Sequence, residues 1–387
     1  MTTKESDALE PADPMKLRDR STLKDALIKR AEGKQRDKHK NIETQIKLSV
    51  FFFSAAADGR TARKTYDLVL RSAIVAEEEG LYALWAPERH FDPFGAPFPD
   101  PALLLAAVAS KTSSLRLRAG SVVLPLHDPL EVAERWGSLQ EISGGRVGVS
   151  FATGWNKRDF VTRPLAYAHR REQLMQDIEA VRALWRKELT TRVGPEGETF
   201  QVQAYPAPTS EIPLWLTSSK SAATWGAAHR HGANLLTAVL EQGLDQVLER
   251  TRTVRRNGYG GEITLMMHAG LQENPQLALE AARDPLGVYL RQHMAMYAAG
   301  GLPAGIDVNS VSAEDQEALL MHGVNRYMNE SGLFGSAETN YGRVLNMQTA
   351  GVTELACLVD FGGEEEAIIA TIRELGRLQR QLADARG

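Results

Sequence analysis

Two short stretches hold side chains whose types and spacing could do chemistry. In "WAPERHFDPFG", residues 85–95, Glu88, Arg89 and His90 directly follow an apolar run. A carboxylate, a guanidinium and an imidazole side by side suit proton transfer, because an imidazole changes charge near neutral pH. The same residues would also serve as an ordinary polar turn. In "PLWLTSSKSAATWGAAHRHG" an apolar run enters Ser218, Ser219, Lys220 and Ser221 and then a helical sequence. A helix start offers unpaired N–H groups and the positive end of its dipole. Hydroxyls and an ammonium beside it make a phosphate seat, or else a serine cap with a surface lysine.

Other candidates carry plainer readings. His127 precedes the helix-starting pair Asp128-Pro129 and orders that turn. His229 and His231 fall at a helix end, where cations suit the dipole. No histidines and carboxylates share metal-ligand spacing, so no metal is expected. Neither a G-x-S-x-G elbow nor a Walker A sequence occurs. "NGYGGE" is a turn between a helix and a strand, so no built-in nicotinamide-binding domain is expected. The single cysteine, Cys357, lies in the apolar run "ELACLVDF" and reads as a small buried hydrophobe. It permits no intrachain disulfide and fits a reducing compartment.

The elements that must position these residues are countable. A chain of 387 residues with 43% hydrophobic content can bury a large core. A net charge of -4 leaves no electrostatic footprint for nucleic acid. No signal-peptide pattern or membrane-length apolar run occurs, so a soluble, cytoplasmic protein is expected. Residues 1–45 are dense in charge and read as an extension, either one amphipathic helix from Ser21 or a solvated segment. From residue 46, short β-rich runs alternate with helical stretches. Strands are predicted at 46–53, 81–86, 115–124, 145–152, 213–218, 234–239, 262–269 and 354–361. Eight strands, each followed by a helix, fit a closed (β/α)8 TIM barrel better than an open sheet. Residues 271–353 exceed one crossover and read as an insertion before the last strand, able to cover the mouth. In such a barrel the site lies at the carboxyl ends of the strands. That rule gathers Ser54, residues 88–90, 121–129, 152–156 and 217–221, His268 and Asp360 around one opening.

Six segments taken together carry a resemblance: "FFFSAA", "LWAPERHFDPFG", "RAGSVVLPLHDPLEVAERW", "EISGGRVGVSFATGWNKRDF", "PLWLTSSKS" and "SGLFGSAETNYGRVLNMQTAGVTELACLVDFG". In this order they resemble the bacterial-luciferase-like, flavin-dependent monooxygenases, in the branch associated with polyketide and nonribosomal-peptide biosynthesis. The resemblance covers about residues 46–363. It implies a barrel that binds reduced FMN at its mouth, usually as a homodimer, with FMNH2 supplied by a separate reductase. Oxygen adds to the reduced flavin, and the resulting flavin peroxide oxygenates a biosynthetic intermediate, free or attached to a carrier protein.

By the same resemblance, Ser218, Ser219, Lys220 and Ser221 fall on the flavin-phosphate loop. Thr153, Gly154 and Trp155 fall on a second turn that contacts the phosphate and ribityl chain. Luciferase has an arginine at the place of Thr153, so Lys220 is the expected counter-charge. Gly120 and Ser121 align with the family's non-prolyl cis peptide beneath the isoalloxazine. Two adjacent histidines of luciferase correspond to Arg89 and His90. An arginine cannot act as a base at neutral pH, which leaves His90 to handle protons, with Arg89 and Glu88 beside it. Phe53, Phe91, Asn325, Arg326 and Tyr327 are expected on the substrate side. A deazaflavin-dependent oxidoreductase of the same fold and a non-catalytic flavin-binding subunit are the alternative readings.

Overall fold

A computed structural model describes residues 45–384 apart from 54–58, 93, 96, 209, 219, 240, 241 and 300–311. Residues 1–44 of the expected extension, and Ser54 and Ser219 of the expected site, lie outside the described residues.

Eight parallel strands close on themselves: β1 (Lys47–Phe52), β2 (Ala83–Ala86), β3 (Arg116–Val123), β4 (Val147–Ala152), β7 (Leu214–Thr217), β8 (Asn234–Ala238), β9 (Ile263–Leu271) and β11 (Glu354–Asp360). The ring closes where β9 pairs with β8 on one side and with β11 on the other, at Ala238↔Met266 and Ala356↔Met266. Helices α1 (Ala62–Glu78), α2 (Pro101–Ala109), α3 (Pro129–Ile142), α4 (Ala166–Trp185), α5 (Ala222–Arg230) and α6 (Leu244–Arg256) follow the first six barrel strands. Their starts are chemically marked. Asp100 and Asp128 each accept a backbone N–H two residues on, with proline at the first helical position.

One piece of structure has no counterpart in the sequence reading. A hairpin of β5 (Thr190–Val193) and β6 (Thr199–Val202) sits between α4 and β7. Its strands are short, polar and mostly exposed, so they lack the apolar alternation that marks a barrel strand. Within 271–353, helices α7 (Pro275–Ala299) and α8 (Ala313–Glu330) are followed by β10 (Leu333–Gly335), which pairs with the carboxyl end of β9. The stretch ends in α9 (Ala337–Ala350), which packs on α6 and on α10 (Glu365–Asp384) as a barrel helix. The element before the last strand is thus a helical pair and a short strand, followed by the barrel's own crossover.

Successive side chains of a strand point to opposite faces. The outward set packs against the helices in one large core that includes Leu48, Val50, Leu117, Val149, Leu265 and Met267. The inward set fills the barrel. Trp85 and Trp215 meet edge to face at 5.5 Å. Burying each contributes about 4–6 kcal/mol of gross transfer free energy. An indole N–H left without an acceptor would cost about 1–3 kcal/mol of that. Both are satisfied. Trp85 Nε1 donates to Glu354 Oε1 at 2.8 Å, and Trp215 Nε1 donates to Thr264 Oγ1 at 3.1 Å. Glu354 also accepts from Ser49 at 2.5 Å and from Thr264 at 3.2 Å. Burial pushes its carboxyl above the usual range, with Arg118 pulling the other way. One carboxylate therefore holds the lower barrel layer together.

Replacing Glu354 by alanine strands three donors in a dry interior. The expected loss is about 3 kcal/mol or more, read as a lower urea midpoint at unchanged m-value. Glu354→Gln keeps one carbonyl acceptor and should lose less than half as much.

Candidate active site

The upper ends of β2 and β3 are joined by one side chain. Glu88 leaves β2 with its carboxylate almost fully buried. Oε1 accepts from His90 Nε2 and from His127 Nε2, each at 2.7 Å. Oε2 accepts from the backbone N–H of Val123 at 2.8 Å, and the Glu88 N–H donates to the carbonyl of Ser121 at 3.2 Å. Both imidazoles must therefore present Nε2–H to the carboxylate. Burial alone would raise Glu88, but the bonds from His127 and His90 outweigh it and hold the carboxyl below its usual range. His90 in turn is raised by its bond to Glu88, against the effect of its own burial. Its Nδ1 is the atom left to exchange a proton. His127, read from sequence as a turn-ordering residue, is the unforeseen third member of this cluster.

Arg89 is occupied elsewhere. Its Nη1 lies 3.0 Å from both oxygens of Asp159, and its Nε donates to the Phe94 carbonyl at 3.3 Å. Asp92 stands 3.4 Å away. Arg89 thus fastens the 88–95 loop to the turn after β4, and its charge is already matched. Gly95 lets that loop close, since a Cβ there would stand 2.6 Å from the Phe53 ring.

Parallel pairing brings the next two turns together. β3 pairs with β4 and β4 with β7, so Thr153–Gly154 and Ser218–Ser221 leave adjacent strand ends. Gly154 has φ +70, and a Cβ would meet Val123 at 2.6 Å and Phe160 at 2.8 Å. No other residue fits there. Ser221 caps α5, its Oγ accepting from Thr224 N at 3.2 Å, and Lys220 stands exposed at the same helix start. Arg170, which the sequence reading passed over, donates from Nε to the Gly154 carbonyl at 3.0 Å. It adds a second guanidinium or ammonium charge to the turn where Thr153 is neutral. Beneath these turns the Gly120–Ser121 peptide is cis. A Cβ on Gly120 would stand 2.6 Å from Phe51 and 3.0 Å from Trp85, so glycine lets these two rings pack against the backbone there. Ser121, Thr217 and Ser150 form a hydroxyl chain along it, Ser150 to Thr217 at 2.6 Å.

The substrate-side residues separate. Phe53 packs edge-on to Phe94 at 5.2 Å and to Tyr289 at 6.4 Å, and Tyr327 is buried in the same cluster with Trp155 at its margin. Phe91 is 53% exposed and Arg326 is exposed. Helical spacing explains Arg326: α8 buries Val324, Tyr327 and Met328, which turns positions 325 and 326 away from the core. His268, Tyr289 and Phe361 join the cluster from β9, α7 and the end of β11. Among the described residues no group of three or more His, Cys, Asp or Glu is arranged to hold a metal ion, and no helix is long and apolar enough to cross a membrane.

The Glu88–His90 pair makes stability depend on pH. A histidine whose folded pKa is raised adds stability that is complete below the unfolded value, about 6.5, and is lost as pH rises through the folded value. Glu88 is lowered, so its share is present above about 4.5 and lost as pH falls through its folded value. Wild type should therefore lose melting temperature as pH rises above about 6.5. Glu88→Gln should flatten that slope and lower the His90 pKa measured by NMR titration. An unchanged His90 titration in the variant contradicts the pairing.

The model of the luciferase-like monooxygenase family matches residues 46–354. An uncharacterised protein of Mycobacterium tuberculosis is 40% identical over 90 residues, 23% of this chain and 32% of that protein. The chain thus matches about a third of the length of that relative. The oxygenase component of a flavin-dependent trigonelline monooxygenase from Acinetobacter baylyi is 22% identical over 82% of this chain and 90% of its own. Among solved structures, the monooxygenase RslO1 from Streptomyces bottropensis superposes with a TM-score of 0.68 at 22% identity, covering 86% of this chain and 98% of that one. The oxygenating constituent of 3,6-diketocamphane monooxygenase from Pseudomonas putida, in complex with FMN, gives 0.67 at 16% identity over 88% and 98%. The closed eight-stranded barrel is the fold of these proteins, and the chain belongs to the luciferase-like monooxygenase family.

Proposed function

We propose that this chain is the oxygenase component of a two-component flavin-dependent monooxygenase that uses reduced FMN, delivered by a separate reductase, and O2. The observation that carries the reading is the pairing of β4 with β7 above the Gly120–Ser121 peptide. It sets two turns suited to a phosphate beside a surface suited to a flat ring. The residues present fit FMN. The start of α5 with Ser221 and Lys220 would hold the phosphate, with Thr153 and Gly154 facing it from the turn after β4 and Arg170 on α4 bonded to that turn. Ser121 and Thr217 would give hydroxyls to the polar ring edge. Reduced FMN, when bound, supplies the electrons that let one atom of O2 enter an organic substrate.

The chain's own residues do the remainder. Glu88 holds His90 with Nε2–H inward, so Nδ1 can give a proton or take one up at the rim. Phe53, Phe94, Tyr289 and Tyr327 exclude water, which strengthens every polar interaction inside. Arg89 acts as a positioning residue through Asp159. The A. baylyi relative's name supports the two-component reading. RslO1, a Streptomyces monooxygenase, has the same fold. We take the substrate to be a biosynthetic intermediate, free or carrier-bound.

Anaerobic titration tests the cofactor. Reduced FMN should bind at least tenfold tighter than oxidised FMN, and a deazaflavin should bind weakest. Replacing Lys220 by alanine should weaken FMN about tenfold while riboflavin, which lacks the phosphate, stays unchanged. Tighter binding of the deazaflavin would turn the reading toward hydride transfer.

A further inference from the structure

His268 is a buried side chain that the proposed reaction does not use. Along β9, Leu265, Met267 and Ala269 pack outward into the main core, so alternation turns Thr264, Met266 and His268 inward. His268 is 1% exposed. Its ring is boxed edge-on by Tyr289 at 4.6 Å, Tyr327 at 5.3 Å and Phe361 at 5.7 Å. Nδ1 lies 2.8 Å from the Tyr327 hydroxyl. The His268 backbone N–H also points to that oxygen, at 3.5 Å.

These contacts set the tautomer. Burial pushes His268 down to about 3, with His293 adding to the effect, and burial raises the Tyr327 phenol. Both groups are neutral. The phenol oxygen faces a backbone donor, and giving its own hydrogen to Nδ1 places the imidazole hydrogen on Nε2. Nε2 is buried and has no hydrogen-bond partner. A buried donor kept without an acceptor is costly, and this one is held in place by a dedicated tyrosine from α8.

We propose that His268 is the specificity-determining donor of the mouth, and that its Nε2–H takes the oxygen of a neutral carbonyl group on a flat, apolar substrate. This rests on the reading of the mouth as the substrate site. A neutral imidazole offers no charge to match a carboxylate, whose burial here would go uncompensated. A carbonyl accepts without bringing a hydrogen that needs an acceptor of its own, as a hydroxyl would. The surrounding aromatic rings suit a planar, apolar skeleton. Tyr327 is the positioning residue, because it fixes which nitrogen carries the hydrogen.

The test uses the full chain without flavin, with acetophenone as probe, ethylbenzene as its oxygen-free counterpart and benzoate as its charged one. In 15N-histidine NMR, the His268 Nε2–H signal should be present and should move with acetophenone but not with ethylbenzene. The preference for acetophenone over ethylbenzene should fall about tenfold in His268→Phe, recover in part in His268→Gln, and fall about threefold in Tyr327→Phe. Benzoate should bind weaker than acetophenone. Melting temperatures identify any variant that fails to fold, in which case the wild-type NMR result decides alone. A hydrogen on Nδ1, no response to acetophenone up to its solubility limit, or an unchanged preference in a folded His268→Phe overturns the proposal. Because no flavin is present, a protein that takes the ketone but not FMN refutes only the cofactor reading, and the reverse refutes only this one.

Discussion

The mouth of this barrel depends on one buried carboxylate. Glu88 stands where β2 ends, and its two oxygens collect three groups: the Val123 N–H, His127 and His90. A carboxylate taken out of water needs such donors, because burial without them costs several kcal/mol, on the order of its lost hydration. The bonds are mutually supporting, so the β2 and β3 ends behave as one rigid rim. From that rim the backbone bond to Ser121 carries the constraint to the Gly120–Ser121 peptide, and Arg89 carries it to Asp159 and the turn after β4. Three of the loops that define the site are thus tied together before any ligand arrives.

A second layer supports the first from below. Glu354 with Trp85, Ser49 and Thr264 fills the barrel where the strands begin. Trp85 also forms part of the wall against which a Cβ on Gly120 would strike. The indole that satisfies the buried acid therefore also sets how close a flat ligand could come to the backbone. Packing and site are the same residues read from two sides, which is why the interior tolerates so little change in volume.

Much of this was legible in the sequence, and the reasons are physical. A parallel strand buried on both faces writes a continuous apolar run, so all eight barrel strands stood out. The end that carries the candidate site followed from the fold rule, which brought residues 88–90 and 153–155 and Ser218, Lys220 and Ser221 to one rim. What escaped depended on long-range partners. His127 looked like a turn residue because its partner Glu88 is 39 positions away. The partner of Arg89, Asp159, is 70 positions away. The β5–β6 hairpin escaped because its strands are solvated and bear no core pattern, although "GPEG" at 194–197 is a turn signal. Residues 325–327 were grouped by adjacency, whereas a helix turns neighbours 100° apart, so only Tyr327 reaches the interior.

The central claim is geometric: the mouth organised by Glu88 seats a flavin with its phosphate between the β4 and β7 turns. A crystal structure of the chain with FMN bound tests this most directly. The account requires phosphate density within hydrogen-bond reach of Lys220, Ser221 and the Thr153–Gly154 turn, with the ring lying against Gly120–Ser121 and His90 at its rim. FMN found outside the barrel mouth, or with its phosphate directed away from both turns, would contradict it.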